Sequence, residues 1–570
     1  MALSGSGGSA FAQTVEQHPA PILQGPQTTT ISAAALETRL TDATSLGVNL
    51  TGLSLVDAHA NGSKLLPKTG PGIDISRAGS TAKAPEFRAL LQKYIGQPLS
   101  YQAIGAIEAE ITKYYRDNGR ALVLVTVPPQ EVTSGVLQVN VNTFVLERTA
   151  VQGAAPGAEG YVAAQVRVKP GQEVDTATLL ADVNWLNLNP FRHVSVVFEP
   201  GKAADSTTLT LKVQNGRPWS AYAGASNAGT RDTGLGRVFA GFNLSALPWQ
   251  DHQLSYQFNG APQSLGHVDL WDTGKDKGYV SHALSYFVPV TLAEGFRFKV
   301  KLGLSHISSY SVPGGAFTAS TTTNGATADF AVPLPATTGQ WKMTPEVFIG
   351  WAGNAYDRGQ FLGPLRFSTE DSHLQHLELG LRSSLNGKLF GRPTHGDFAV
   401  SVVAGHLRQD INGTRTTASY GYAKASIAQE IMLDGGPSLA LRFGGQYSND
   451  TLHPLEQLAL GGDGTVRGYP TNAVSGETAA SFSIEYRAAP VSVPLGKMQG
   501  ELRPHVFADL GVTDPSGLGK AEHLASIGLG GDFTMGENFV AKIDVTQTLT
   551  AAGSTAAHEA SVAFQLTARF

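Results

Sequence analysis

The chain has 570 residues, charged residues make up only 15% of it, and its formal net charge is −5 at pH 7. That length exceeds one ordinary globular core and implies about two to four domains, and the weakly acidic balance gives no electrostatic case for nucleic-acid binding. Cysteine is absent, which excludes disulfides, thiolate metal sites and thiol nucleophiles. No run of about 18 apolar residues marks a transmembrane helix.

In chain order, "SAFAQ" (9–13) carries Ala10-Phe11-Ala12, a small-x-small signal-peptidase pattern without the basic and apolar regions that normally precede it. Residues 1–12 are therefore expected to be a remnant signal-peptide-like segment, with a mature start near Gln13 beyond an inner membrane. Residues 13–45 are polar and hold one short amphipathic stretch, "SAAALETRL" (32–40), which is either a helix or a linker, since isolated helices shorter than about 12–15 residues are marginal.

Residues 46–145 read as an α+β module. A strand is expected at 47–56, followed by a Gly/Pro-rich insertion at 61–74. In "PEFRALLQKYIG", Phe87, Leu90, Leu91, Tyr94 and Ile95 fall on one helical face, with Pro85 suited to the first turn and Gly96 to the stop. A second helix places Ile104, Ile107 and Ile111 on one face and ends near Gly119. Strands at 121–127 and 135–145 complete the order β-α-α-β-β. Residues 146–215 repeat it in shorter form, with a strand near 161–168, a helix at 176–186, and strands at 193–200 and 207–214.

From 216 to 570 helical periodicity gives way to period-2 alternation between Gly-, Asn-, Asp-, Pro- and Ser-rich turns. In "ASVAFQLTARF" Val562, Phe564, Leu566, Ala568 and Phe570 face one way, and Ala563, Gln565, Thr567 and Arg569 the other. In "PSLALRFGGQY" Leu439, Leu441, Phe443 and Tyr447 oppose Ala440, Arg442 and Gln446, and in "HLELGLRS" Leu377, Leu379 and Leu381 oppose Glu378, Gly380 and Arg382. About sixteen such segments, about ten to twelve residues each against the roughly 9–11 that a tilted membrane strand needs, favour a transmembrane barrel over a soluble sheet. The polar face suits a hydrated lumen, and lipid forces closure because an open edge would leave backbone groups unpaired.

"LGGDGTVRGYP" (460–470) is Gly-rich, yet Arg467 stands where a dinucleotide fingerprint needs its third glycine, and no helix follows. The P-loop spacing is missing too, so phosphate binding is not expected. An ordinary flexible loop would explain the glycines but not the isolated Arg467 beside Tyr469. Downstream, "HVFADLG" (505–511) places Phe507, Asp509 and Gly511 on one strand face with Arg503 and His505, and Val506, Ala508 and Leu510 on the lipid face. Glu485 and Arg487 share the lumen face of the preceding strand.

"TVRGYP" and the F-x-D-x-G pattern of "HVFADLG" resemble the signature loop and lumen motif of the POTRA-containing outer-membrane transporters. "VPPQEVTSGVLQVNV" (127–141), "VNWLNLNPFRHV" (183–194) and "SNAGTRDTGLGR" (226–237) resemble one branch of them, the two-partner secretion (hemolysin secretion/activation) family. The resemblance spans about residues 46 to 570. It implies α+β periplasmic POTRA domains at 46–145 and 146–215, then an all-β transmembrane barrel of 16 antiparallel strands at 216–570 whose loop 450–478 folds inward. It implies that residues 13–45 include a segment that can plug the barrel. It further implies that Val466, Arg467, Gly468 and Tyr469 meet Phe507, Asp509, Gly511 and Glu485 on the barrel wall, with Val466 and Tyr469 gripping Phe507.

The implied function is export of a large secreted partner, a TpsA-like adhesin, hemolysin or exoprotein, by a monomer in outer-membrane lipid. An assembly factor for other barrels and a passive porin or receptor remain alternatives, and an enzyme is the least expected class. No catalytic, cofactor or metal residues are expected: His373 and His376 point to opposite strand faces and cannot chelate one ion. An Arg467–Asp509 pair in a partly hydrated channel is expected to be worth roughly 0–1 kcal/mol, and Arg442, Arg487 and Arg503 are expected to be solvated.

Overall fold

The computed structural model describes residues 12–13, 42–61, 64–67, 70–120, 122–203, 205–245, 249–266, 271–273, 278–314, 317–337, 341–496, 498–514 and 520–570. The signal-like residues 1–11 and the helix expected at 32–40 lie outside them. The chain divides into two compact units, Gly25–Gly216 and Arg217–Phe570 with Met1–Gln24.

The first unit holds two α+β modules. In the first, Gly52–Asp57 lies parallel to both Gly72–Arg77 and Val136–Thr143, and Val123–Thr126 pairs with the latter on its other side. The helices Pro85–Gln92 and Tyr101–Asp117 bury Phe87, Leu91, Ile104, Ile107 and Ile111 against Leu53, Leu55, Leu137 and Val139 of the sheet. Ser100 caps the longer helix by accepting from Ala103 N. The strand Gly72–Arg77 emerges from what reads in sequence as a Gly/Pro-rich insertion. Its pairing partner lies twenty residues upstream (Gly52↔Gly72), so no local pattern announces it.

In the second module Ser206–Asn215 is central, parallel to Val145–Gln152 and antiparallel to Arg192–Pro200. The strand expected near 161–168 is not there: Glu159–Ala164 is a helix. Val162 in the helix and Val166 and Val168 just after it are buried in the module's core, and their even spacing satisfies a period-2 reading over a short stretch. The module's first strand is instead Val145–Gln152. Asp175 caps the helix Thr176–Leu186, accepting from Thr178 N at 2.7 Å.

The second unit is a closed antiparallel barrel. It runs through seventeen strand segments, two of which, Thr478–Arg487 and Val491–Leu495, pair with the same neighbour, Met498–Asp514. They are one strand interrupted around Pro490, which has no N–H to donate, so the barrel has sixteen strands. Trp219–Ser226 closes the ring against Ala560–Arg569, from Tyr222↔Arg569 to Ser226↔Gln565.

The wall is inside-out relative to a soluble protein. Val347, Ile349, Trp351, Leu377, Leu379, Val506, Leu510, Leu529 and Val562 project outward and are exposed, while Glu485, Asp509, Asp544 and His505 are buried within. A row of apolar side chains outside and charges inside is stable only in a hydrocarbon surround, with every strand paired to its neighbours.

The strands are unequal. Lys342–Leu362, Leu365–Leu389 and Arg392–Ile411 have 21, 25 and 20 residues, about twice what a bilayer needs. On Leu365–Leu389 the outward face is apolar at Leu377, Leu379 and Leu381 and polar at Asp371, His373 and Gln375. The hairpins therefore continue past the lipid belt.

Candidate functional site

The loop between Ser438–Tyr447 and Thr478–Arg487 folds into the barrel. Its two limbs form a short hairpin, Leu458–Leu460 against Val474–Gly476. Ala12–Gln13 adds a third strand, with Ala12 opposite Ala459 and Gln13 opposite Leu458.

The tip between the limbs turns on glycine. Gly461, Gly462 and Gly468 have φ of 116°, 88° and 92°, a left-handed range that side chains disfavour. Gly462 N donates to Tyr469 O at 3.0 Å, and Gly461 N donates to Thr465 Oγ1 at 2.8 Å. A Cβ on Gly468 would lie 2.7 Å from Thr546 Cγ2, so the tip backbone lies directly on the barrel wall.

The turn aims Arg467 at two wall strands. Its Nε and Nη2 donate to Asp509 Oδ2 and Oδ1 at 2.8 and 2.9 Å, a two-pronged pairing. Its backbone N also donates to Asp509 Oδ2, at 3.0 Å. Nη1 donates to Glu485 Oε2 at 2.5 Å and Nη2 to Ser483 Oγ at 3.2 Å. The guanidinium carbon lies 3.3 Å from the centre of the Phe507 ring, a cation over a π face.

Val466, Arg467, Gly468, Tyr469, Glu485, Phe507, Asp509 and Gly511 are thus brought together in one place. Gly511 is small for a reason: a Cβ there would come within 2.8 Å of Val466 Cγ2. Val466 and Tyr469 pack with Leu458, Leu460, Ala479, Leu524 and Ala552. Phe507, which the sequence reading gives them to grip, is not in that cluster; the Arg467 guanidinium lies over its ring. The Tyr469 hydroxyl lies 2.7 Å from Thr550 O and accepts from Ala525 N at 3.2 Å, tying the tip to the start of the strand Glu522–Met535 and to the residues just after the strand Phe539–Thr548.

One further expectation is corrected. The pair is not hydrated: Arg467, Glu485 and Asp509 are 3%, 4% and 0% exposed. Packing of the tip against the wall removes the water that would have weakened it, so its loss is costlier than that of a surface pair. The other lumen arginines, Arg442, Arg487 and Arg503, keep part of their side chains exposed, and each has partners as well. Arg487 Nε donates to Glu485 Oε1 at 2.6 Å and Nη1 to Glu430 Oε2 at 3.1 Å. Arg503 Nη2 donates to Ser438 Oγ at 2.8 Å, and Arg442 Nη2 lies 3.6 Å from Glu485 Oε2. Alternation within one strand already puts Glu485 on the lumen face with Arg487, but the cross-strand partner Glu430 is not revealed by the spacing within any one strand.

Sequence reasoning also missed Ser483 and the ion pair Lys542–Asp463 at 2.7 Å, which fastens the tip to a third strand. It weighed His376 only as a metal ligand. His376 and His373 do face opposite ways: His376 meets Glu456 inside, and His373 meets Asp371 outside.

Residues 367–533 match the family model described as haemolysin secretion/activation protein ShlB/FhaC/HecB, and residues 72–143 match the POTRA domain of ShlB type. The first match contains the whole inward loop and its partners Ser483, Glu485, Phe507 and Asp509, while Lys542, Thr546 and Thr550 lie beyond it. The heme/hemopexin transporter protein HuxB of Haemophilus influenzae is 20% identical over 430 residues, covering 72% of this chain and 71% of the relative. CdiB from Escherichia coli shares the fold with a TM-score of 0.68 at 17% identity, over 96% of this chain and 94% of that one. CdiB from Acinetobacter baumannii does so at 0.60 and 15%, over 96% and 95%.

Proposed function

We infer function from one premise: the chain belongs to the haemolysin secretion/activation family, the two-partner secretion branch of the POTRA-containing outer-membrane transporters. It is an outer-membrane translocator that exports a partner protein through its sixteen-stranded barrel, with its POTRA region in the periplasm. The observation that carries this reading is the inside-out barrel holding an inward loop on a buried Arg467.

Several finer points are our reading. Residues 46–145 and 146–215 act as two POTRA domains and 216–570 as the barrel. The partner is a large secreted TpsA-like chain, caught unfolded when its extended backbone adds to a free sheet edge. The edges available are Gly72–Arg77 and Val123–Thr126 in the first module and Val145–Gln152 and Arg192–Pro200 in the second. The translocator works as a monomer, and folding of the partner outside drives transport without a nucleotide. Arg467 with Asp509 and Glu485 holds the loop in the lumen, so that the resting barrel is obstructed.

Deleting the gene in cells that make the protein should remove one large protein from the culture medium, and the wild-type gene should restore it. Loss of other barrels from the outer membrane would favour an assembly factor. Loss of small-solute uptake with an unchanged medium would favour a porin.

A further inference from the structure

The tip is not the loop's sole attachment. On the rising limb, Glu456 is fully buried: its Oε2 accepts from the Tyr422 hydroxyl at 2.5 Å and its Oε1 meets His376 Nδ1 at 3.1 Å. Three residues earlier, His453 Nδ1 accepts from Leu455 N at 3.2 Å, which leaves Nε2 as the donor to Glu370 Oε1 at 3.0 Å. Gln409 and Ser372 also donate to that Glu370 oxygen, at 2.7 and 3.1 Å. Apolar contacts surround these bonds: Leu452 packs with Val403, Tyr420 and Tyr422, and Leu455 with Tyr356 and Leu374.

A buried carboxylate on a loop is expensive unless it is paired. Here every partner named comes from the wall that runs from Lys342 to Met432. The tip uses a different set: Ser483, Glu485, Phe507, Asp509, Lys542 and Thr550. Among the described contacts the two sets share no residue, and sites without shared partners behave independently. At the base, Gln446 Nε2 donates to Glu456 O at 2.8 Å and to Glu477 O at 3.3 Å, holding the two ends of the hairpin together.

We propose that Glu456 is a positioning residue which, with His453, pins the loop's rising limb to the barrel wall independently of Arg467. Opening the Arg467 contact then frees the hairpin 458–476 to pivot about a root that stays fixed. The purpose of that motion, clearing the lumen for a passing chain, rests on the translocator reading. The second attachment itself does not.

The parent chain has no cysteine, so a single introduced one reports a single site. Leu455 is fully buried, and Leu455→Cys in the full chain, purified in detergent, should react slowly with a maleimide. Adding Glu456→Ala should speed the reaction at least about tenfold, the equivalent of 1.4 kcal/mol. Glu456→Gln keeps an oxygen for Tyr422 and should change it less than about threefold. Arg467→Ala should leave Leu455→Cys within about twofold while exposing Thr465→Cys at the tip. The proposal is overturned if Arg467→Ala exposes Leu455→Cys as much as Glu456→Ala does, or if Glu456→Ala leaves it shielded.

Heat-modifiability on gels confirms that each variant holds a barrel. Where Glu456→Ala does not fold, Tyr422→Phe removes one hydroxyl and should still give a rise; no rise there overturns the proposal equally. Export by the parent chain tests the translocator reading separately, because the labelling rates do not depend on it.

Discussion

Replacing Arg467 by alanine removes the Nε and Nη2 donors to Asp509, the donor to Glu485 and the cation over Phe507. Glu485 still has Arg487 at 2.6 Å and Arg442 at 3.6 Å. Asp509, with no exposure, keeps only the backbone N–H of residue 467 among its described bonds. Removing one partner of a buried pair typically costs about 3–5 kcal/mol because the other charge is stranded. The retained backbone donor, and the freedom of the tip to lift and admit water, place this case near 3 kcal/mol. At 1.4 kcal/mol per decade, the open population of the tip should rise about a hundredfold. The assay is maleimide labelling of Thr465→Cys, a site 6% exposed in the docked loop, compared with and without Arg467→Ala. Arg467→Lys should fall between, since an ammonium cannot match the two-pronged geometry. Export should drop in Arg467→Ala and Asp509→Ala alike, because transport needs the tip to dock again as well as to lift, with the double variant little worse than either. A rise in labelling of less than about tenfold, or fully additive losses in export, would refute the reasoning.

Residues 216–570 alone should refold in detergent as a β-rich species that migrates differently before and after boiling; a soluble fragment needing no detergent would sink the membrane assignment. Deleting residues 13–44 should raise single-channel conductance if they plug the lumen, whereas unchanged conductance marks them as a linker. Gly468→Ala should weaken tip docking by about 1–3 kcal/mol, because it adds a positive-φ side chain that meets Thr546 at 2.7 Å. Conductance noise and Thr465→Cys labelling both report it, and an unchanged pair of readings counts against the close tip contact.

What could be read from the sequence follows what is local. Lipid outside and charge inside force strict alternation, so Leu377, Leu379 and Leu381 against Glu378 and Arg382 already mark a barrel strand. The tip motif is equally compact: "VRGY" and "FADLG" are short, and strand alternation alone places Phe507, Asp509 and Gly511 on one face. Non-local features were hidden. Gly72–Arg77 is a strand only because Gly52–Asp57 lies beside it. Val145–Gln152 starts the second module although its sequence continues the first without a break. Glu456 meets His376 across 80 residues, and nothing near either residue advertises the other. The burial of Arg467 is of the same kind, since it depends on Val466 and Tyr469 closing over wall residues from three strands.

The central claim is that the barrel passes an unfolded partner chain. Proteoliposomes containing the purified full-length protein should take up an unfolded fragment of the secreted protein identified by gene deletion. Uptake is read as protection from external protease that is lost on adding detergent. The account predicts protection with the parent chain and a sharp reduction with Arg467→Ala vesicles carrying equal amounts of folded barrel. Protection equal to that of empty vesicles, with the parent barrel folded and conducting, would contradict it.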